Sequence, residues 1–391
     1  VTSFFPNNRI TLLKNGETYF PAIESAIDEA VHEIYLESYI FKNDAIGQKI
    51  AEALRRAALR GVRTRILIDG FGSKDLPETM MDYLAAAGIM LMKFRPKTSP
   101  WTLRRRRFRR LHRKIVVIDR RVAFVGGINI IDDMEPGQPW PRYDYAVCIK
   151  GPLVKKIHAS VRRVWSRVAW TRLRPGWVAP ANDGQTSSTE STGRMRAAFL
   201  VRNNIRHRRD IENAYLQAIK RAQSEIILAN AYFFPGFNFR HALLDAVKRG
   251  VRVILLLQGK VEYRLMHYAS HALYGNFLYA GVEIYEYHKS LMHAKVAVID
   301  GHWATVGSSN LDPFSLLLAL EANIVVDDKN FAQTLKHSLE QSIQTGARRV
   351  SENNWNTQTI GLRLVSWLCY GLIRFMIGMT GYASGKQTGA L

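Results

Sequence analysis

His112-Arg-Lys-Ile-Val-Val-Ile-Asp119, with Gly126-Gly-Ile-Asn129 behind it, returns as His293-Ala-Lys-Val-Ala-Val-Ile-Asp300 with Gly307-Ser-Ser-Asn310. Every matching residue lies 181 positions further along the chain. One copy of such a pattern is a moderate signal. Two copies in step mark an internal duplication, in which each half supplies a histidine, a lysine and an asparagine.

Residues 114–119 and 294–299 are short apolar runs rich in β-branched side chains, as buried strands are. Side chains alternate faces along a strand, so His112 and Lys114 point the same way, as do His293 and Lys295. Each run meets a turn at Asp119-Arg-Arg121 or Asp300-Gly301, and Asp-Gly between apolar runs signals a hairpin. The returning strands are Val122–Val125 and Trp303–Val306. Hairpin counting sets residue 112 across from about residue 128, which brings Asn129 near His112 and, by the same count, Asn310 near His293. The glycines are expected to let the backbone approach a ligand there. Asp119 and Asp300 lie an odd number of positions from their histidines. Parity takes them off the pocket face, as residues that hold the motif in shape, although they are counted with the motif's catalytic set.

Histidine serves as a nucleophile toward phosphorus and as a general acid or base near neutral pH. Lysine and asparagine stabilise charge growing on phosphoryl oxygens, so Lys114 and Lys295 join the catalytic set, and Asn129 and Asn310 are expected to bind the substrate phosphate. Two histidines on opposite sides of a phosphodiester allow attack by one and proton transfer by the other. A carboxylate usually fixes the tautomer of such a histidine. Asp144, in the strand-like Tyr143–Ile149, lies 32 residues after His112, and Glu321, in the strand-like Glu321–Val326, lies 28 after His293. They are matched candidates for orienting the histidines. The nine other histidines have no repeated context and are left as packed or surface residues. Glu37, Trp101, Tyr232 and Phe234 are weaker pocket candidates, each of which also suits a strand or core.

The repeat extends beyond the motif. Glu33-Ile-Tyr-Leu-Glu-Ser-Tyr-Ile-Phe41 echoes Glu225-Ile-Ile-Leu-Ala-Asn-Ala-Tyr-Phe233, and Arg60-Gly-Val-Arg63 echoes Arg249-Gly-Val-Arg252. Helical spacing in Ile46–Leu59 and Phe239–Lys248 alternates with strands, so each half is expected to run helix, strand, helix, strand, helix, strand, then hairpin. That predicts an α/β fold, two tandem domains each with a mixed sheet flanked by helices. Their expected bounds are 1–172 and 196–350. A Pro-, Gly- and Ser-rich linker or loop joins them over 173–195.

The net charge of +22 concentrates in Arg104–Lys114, with eight Arg or Lys in eleven residues. Such a run attracts anionic lipid, by about 1 kcal/mol per residue near the surface, and nucleic acid alike. The C-terminal segment, 351–391, points to lipid. Ile360–Tyr382 is apolar apart from Arg363 and Arg374, which share one helical stripe. Its longest charge-free run is ten residues, short of the roughly twenty needed to span a bilayer. An apolar amphipathic helix lying in the interface is expected, against the alternative of a helix docked on the core or on a second subunit. Only Cys148 and Cys369 are present, which excludes a disulfide framework and a thiolate zinc site. No nucleotide-binding glycine motif or metalloprotease motif occurs. No metal and no cofactor are expected, and no signal peptide is evident.

The paired motifs resemble those of the phospholipase D superfamily over about residues 10–345. Within it, Leu12-Leu-Lys-Asn-Gly16, Leu36-Glu-Ser-Tyr-Ile40, Ile68-Asp-Gly-Phe-Gly-Ser73, His112–Asp119 and Arg363–Tyr382 resemble the short bacterial cardiolipin synthases of the B type. The resemblance implies a phosphatidyltransferase with His112 as nucleophile and His293 as acid and base. Its implied partners are phosphatidylglycerol, cardiolipin and the membrane surface, with no nucleic acid, and a homo-oligomer is left open. It implies a place at the bacterial inner membrane, peripheral or monotopic, on the cytoplasmic face. The rivals are a hydrolase or nuclease of the same superfamily, which the basic balance suits and the apolar tail does not, and a silent membrane-binding protein, against which the intact motifs argue.

Overall fold

In this computed structural model the described residues are 2–95, 109–134, 137, 139–179, 191–203, 207–312, 319–352, 355 and 360–379. Trp101, Arg104–Arg107 and the middle of the 173–195 segment lie outside them, as does everything beyond residue 379.

In the first half β1 (Phe5–Lys14) and α1 (Asn15–Asp28) are followed by β2 (Glu33–Ser38), α2 (Ala45–Leu59), β3 (Arg63–Asp69), α3 (Glu78–Ala86) and β4 (Met90–Phe94). The two-residue β5 (Arg110–Leu111) precedes the motif hairpin, β6 (Lys114–Ile118) and β7 (Val122–Gly126). Then β8 (Tyr145–Lys150) and α4 (Leu153–Thr171) close the half. The second half repeats the plan with β9 (Met195–Arg202), α5 (Asp210–Arg221), β10 (Glu225–Asn230), α6 (Phe237–Lys248) and β11 (Arg252–Gln258). Two short helices, α7 (Arg264–His271) and α8 (Tyr274–Tyr279), stand where the first half has α3, and β12 (Glu283–Tyr287) follows. The second hairpin is β13 (Lys295–Ile299) and β14 (Trp303–Gly307), and after it come β15 (Ala319–Asp327), α9 (Lys329–Gly346), β16 (Ala347–Val350) and α10 (Ile360–Met379).

The duplicated α/β plan is borne out, with one addition. Each half opens on a strand that the helix-first expectation omits, because the polar Pro6-Asn-Asn-Arg9 hides the alternation of β1. Those two strands join the halves. A single mixed sheet runs β16-β12-β11-β10-β13-β14-β15-β9-β1-β8-β7-β6-β2-β3-β4. It crosses from one half to the other where β1 pairs antiparallel with β9, through Phe5↔Ala197 and Asn8↔Met195.

Central strands bury both faces, which is why they read as near-continuous apolar runs. Ile34, Leu36, Val116 and Ile118 pack under α1 and α2, whereas Tyr35, Ile115 and Val117 of the same strands face a central core. That central core also takes Ile227, Val296 and Val298 from the second half, with Trp165 of α4 and Leu335 and Leu339 of α9. The two halves therefore share one apolar interior. The flanking helices follow ordinary rules. Asp44 caps α2 by accepting from Gly47 N at 2.9 Å, and Ile50, Leu54 and Ala57 lie along its buried side.

The terminal helix α10 packs beside α7. Ser366 and Ile373 are buried, and the Tyr370 ring lies 5.2 Å from that of Phe234. Arg363 folds back so that its Nη2 donates to Trp355 O at 3.0 Å. The other side exposes Leu364, Trp367, Leu368, Leu372 and Phe375, each at least half exposed. Docking on the core and an outward apolar face are thus properties of the same helix. Among the described residues no helix is long and apolar enough to cross a membrane.

Candidate active site

The hairpins form as their turn chemistry dictates. Asp119 and Arg120 have φ of 49° and 56°, and Asp300 and Gly301 have 50° and 64°. Arg121 N donates to Ile118 O at 3.0 Å and His302 N to Ile299 O at 3.3 Å, so both turns have left-handed central residues matched to the strand twist. The registers Lys114↔Gly126 and Val296↔Val306 carry on to set His112 across from Ile128 and His293 across from Ser309. The motif asparagines follow directly after.

Asp119 and Asp300 sit at the turns, the far ends of the hairpins from the histidines. Asp119 accepts from the backbone N–H groups of Val31, His32 and Glu33 at 2.7–2.8 Å. Asp300 accepts from those of Gln223, Ser224 and Glu225 at 2.8–3.0 Å. Each ties its turn to the chain entering the neighbouring strand. This is the place strand parity gives them, at the turns and off the pocket face.

Ahead of each histidine the chain leaves its own half. β5 pairs in parallel with the start of β15, and His112 N donates to Leu320 O at 3.0 Å. In the mirror arrangement Tyr143 bridges Met292, and His293 N donates to Tyr143 O at 2.7 Å. This stitching delivers each carboxylate to the opposite histidine. His112 Nδ1 lies 3.0 Å from Glu321, and His293 Nδ1 lies 2.7 Å from Asp144. Counting along the chain pairs Asp144 with His112 and Glu321 with His293; the structure pairs them crosswise.

The variable Gly/Ser position of the motif touches these carboxylates. A β-carbon on Gly127 would stand 2.3 Å from Asp144 Oδ1, so only glycine leaves room for that side chain. At the equivalent position Ser308 Oγ donates to Glu321 Oε2 at 2.5 Å and accepts from Ala322 N at 3.0 Å. The motif glycines make their close approaches to protein: Gly127 to Asp144, Gly126 to Ala146 and Gly307 to Asn323.

Lys114 and Lys295 are 1% and 0% exposed. Each Nζ donates to the carbonyl of the motif histidine before it, His112 O at 2.7 Å in the first half and His293 O in the second. Burial pulls Lys114 down to about 7 and Lys295 to about 8, against the pull of Glu321 and Asp144. Burial also lowers both histidines, His293 more strongly, and raises Asp144 to about 6. Asn129 Oδ1 accepts from Ile40 N at 3.1 Å, and Asn310 is buried at the matching place. Asn129, Arg142, Asp144 and His293 line a cavity of about 270 Å³. Residues of both halves therefore wall one pocket.

Two neighbours escaped the sequence reading. The Tyr39 ring stands edge-on to His112 at 4.9 Å, with Lys114 Nζ 5.4 Å from its centre. Arg142 precedes Asp144 and adds positive charge beside His293. Neither is repeated, so the duplication could not flag them. Of the weaker candidates, Glu37 is buried against Arg113, whose Nε donates to it at 2.7 Å. Phe234 is core, and Tyr232 lines a second cavity. Among the described residues no group of three or more His, Cys, Asp or Glu is arranged to hold a metal ion.

A family profile described as "Cardiolipin synthase, PLD-like domain" matches residues 23–165 and again 215–343. The chain is 38% identical over 391 aligned positions to cardiolipin synthase B of Escherichia coli strain K12, covering 97% of this chain and 91% of that one. It is 39% identical to cardiolipin synthase B of Salmonella typhi, covering 96% and 90%. Among solved structures, phosphatidylserine synthase of Haemophilus influenzae Rd KW20 superposes with a TM-score of 0.69 at 15% identity, covering 94% of this chain and 93% of that one, a likeness of fold.

Proposed function

The chain belongs to the phospholipase D-like cardiolipin synthase family, and we propose that it makes cardiolipin by moving a phosphatidyl group from one phosphatidylglycerol to another. The crossed pairs His112–Glu321 and His293–Asp144 carry this reading. An ionised carboxylate only accepts, so it fixes the proton on Nδ1 and leaves Nε2 to the substrate. Two such imidazoles, one from each half, suit a displacement on phosphorus from one side with proton transfer on the other.

In the first step His112 Nε2 bonds to phosphorus as the bond to the glycerol oxygen breaks, and His293 gives that oxygen its proton. In the second, the hydroxyl of another phosphatidylglycerol gives its proton to His293 and bonds to phosphorus as the phosphorus–nitrogen bond breaks. Burial keeps His112 neutral and nucleophilic. It also keeps His293 neutral in the empty pocket, so the acid form has to come with the substrate. A phosphodiester brings a negative charge that favours protonated His293 and charged Lys114 and Lys295. Asn129 and Asn310 complete the set of phosphate donors. One phosphodiester replaces another, so the exchange needs no nucleotide.

The outward apolar face of α10 and the basic run at Arg104–Lys114 support a peripheral or monotopic place on the cytoplasmic face of a bacterial inner membrane, where lipid hydroxyls are concentrated. The test uses purified enzyme and labelled phosphatidylglycerol in vesicles. Cardiolipin with one glycerol released per molecule is expected, and alkaline quenching should trap the phosphatidyl group on His112. Phosphatidic acid alone would make the protein a hydrolase. His112-dependent cleavage of oligonucleotides with lipid ignored would make it a nuclease.

A further inference from the structure

The two halves differ beside their histidines. The first-half register sets Ile40 across from His112, and the Tyr39 ring fills the space against that histidine. Behind it Asp69 accepts from Leu111, Phe71 and Gly72 N–H groups at 2.8–3.1 Å, and Ser73 Oγ donates to Tyr39 O at 3.0 Å. This corner is packed shut. In the second half Asn230↔Lys295 and the bond from Ala231 N to Ala294 O at 3.0 Å set Tyr232 across from His293. Ala231 replaces Tyr39, Gln258 replaces Asp69, and the space stays open. It is a cavity of about 360 Å³, lined by Tyr232, Gln258, Lys260, Glu262, Tyr263 and His267 among others.

The wall chemistry is specific. Gln258 is 8% exposed, its Oε1 accepts from Lys260 N at 3.3 Å, and its Nε2 has no hydrogen-bond partner among the described residues. A buried donor left unmatched calls for a partner, and this one belongs to a residue that lines the cavity. Tyr232 donates its hydroxyl to Glu262, whose carboxylate offers acceptor sites. Tyr232 lines this cavity and stands across from His293, so the cavity lies beside the reaction centre. Lys260 disfavours a cationic group in this space, and Glu262 disfavours a second phosphate. Donor and acceptor side by side suit hydroxyls, which do both.

We propose that this cavity is a polyol subsite, in which Gln258, Glu262 and Tyr232 hold the glycerol headgroup that leaves or arrives at the proton of His293. The proposal rests on the phosphatidyl-transfer reading, and it breaks the pseudo-symmetry of the two halves. Leaving and incoming alcohols occupy the same side of phosphorus, opposite His112, so one subsite serves both steps. The three residues bind the headgroup and leave the proton transfer to His293.

The reverse reaction isolates the alcohol: full-length enzyme, cardiolipin in mixed micelles, and free glycerol or propan-1-ol as acceptor. Gln258→Leu and Glu262→Gln should each raise the KM for glycerol roughly tenfold or more, with a smaller change in kcat at saturating glycerol. Both should lose the wild-type preference for glycerol over propan-1-ol. Gln258→Glu, closer in shape, provides a second variant at that position, and thermal unfolding confirms that each protein is folded. Folded variants with wild-type glycerol KM and wild-type preference overturn the subsite while leaving the transfer reading intact. A wild-type enzyme that forms neither phosphatidylglycerol from cardiolipin and glycerol nor cardiolipin from phosphatidylglycerol overturns both.

Discussion

Asp144, from the first half of the chain, holds Nδ1 of His293, from the second, at 2.7 Å. Glu321 holds His112 in the opposite sense at 3.0 Å. The duplication has exchanged its carboxylates, so each histidine finds its Nδ1 partner in the other half. The parallel contacts of β5 with β15 and of Tyr143 with Met292 are the physical means of the exchange. The shared central core makes separation of the halves expensive as well, because it would expose apolar faces of both.

The exchange predicts which step each carboxylate serves. With a donor lipid whose leaving group is p-nitrophenol, departure needs no proton. Asp144→Asn and His293→Ala should then still form the His112 adduct and accumulate it. Glu321→Gln should slow formation of the adduct itself, by about 10²–10⁴-fold as for the loss of a positioned general base or its support. Rapid quenching and mass spectrometry read the adduct. If Asp144→Asn blocked its formation and Glu321→Gln did not, the proposed roles of the two histidines would be reversed.

The Gly/Ser position of the motif should act through the same carboxylates. Gly127→Ala puts a methyl group where Asp144 Oδ1 now lies 2.3 Å away, so it should resemble Asp144→Asn in the adduct assay. Ser308→Ala removes one hydrogen bond to Glu321 without a clash, for a loss of about 1.5–3 kcal/mol and roughly ten- to hundredfold in rate. Equal effects of the two substitutions would contradict this account.

These residues show how far the sequence carries. Strand parity and turn chemistry are local, so the sequence alone sets His112, Lys114, Asp119 and their counterparts on hairpins with the correct register. The duplication then made Asp144 and Glu321 visible as a matched pair. The direction of their pairing was not legible, because it depends on β5 and on the contact at Met292. The first is a two-residue strand and the second an isolated bridge, both too short to have a hydrophobic period. Tyr39 and Arg142 were hidden for the opposite reason. They are where the halves differ, and a repeat reveals only what is repeated. The end-to-end sheet was missed because β1 opens with polar residues.

The terminal helix should bind lipid through its outward face. Leu368→Ser, Leu372→Ser and Phe375→Ser together leave the buried Ser366, Tyr370 and Ile373 side in place. Each side chain contributes on the order of 1.5–3 kcal/mol when fully buried in an apolar phase. The triple variant should therefore lose most binding to vesicles in sedimentation assays while keeping its unfolding temperature. Unchanged vesicle binding would mean that this face is covered by something other than lipid.

Turnover should survive exhaustive chelation. The proposed chemistry meets phosphoryl charge with Lys114, Lys295, Asn129 and Asn310, so no step calls for a divalent ion. Cardiolipin formation measured with and without a strong chelator should agree within about twofold, a free-energy difference below roughly 0.5 kcal/mol. Loss that one specific divalent ion restores would overturn this.

The buried lysines predict an unusual pH dependence of stability. Burial holds Lys114 at about 7 and Lys295 at about 8, whereas a lysine in the unfolded chain titrates near about 10.4. Between those values the unfolded chain binds more protons than the folded one, so their contribution to stability grows as pH rises through the window. Asp144 has the opposite sign. Its folded value, raised to about 6 by burial, makes its contribution fall as pH rises between about 3.9 and 6. The Tm of the wild type, measured against a Lys114→Met, Lys295→Met double variant, should therefore gain on that variant steadily from pH 7 to pH 10. A difference that stays flat across this range would show that the two lysines are not depressed. A bound phosphodiester favours the charged lysines, so a saturating short-chain phosphatidylglycerol should reduce the gain, and the double variant, which lacks both ammonium groups, should show no such response.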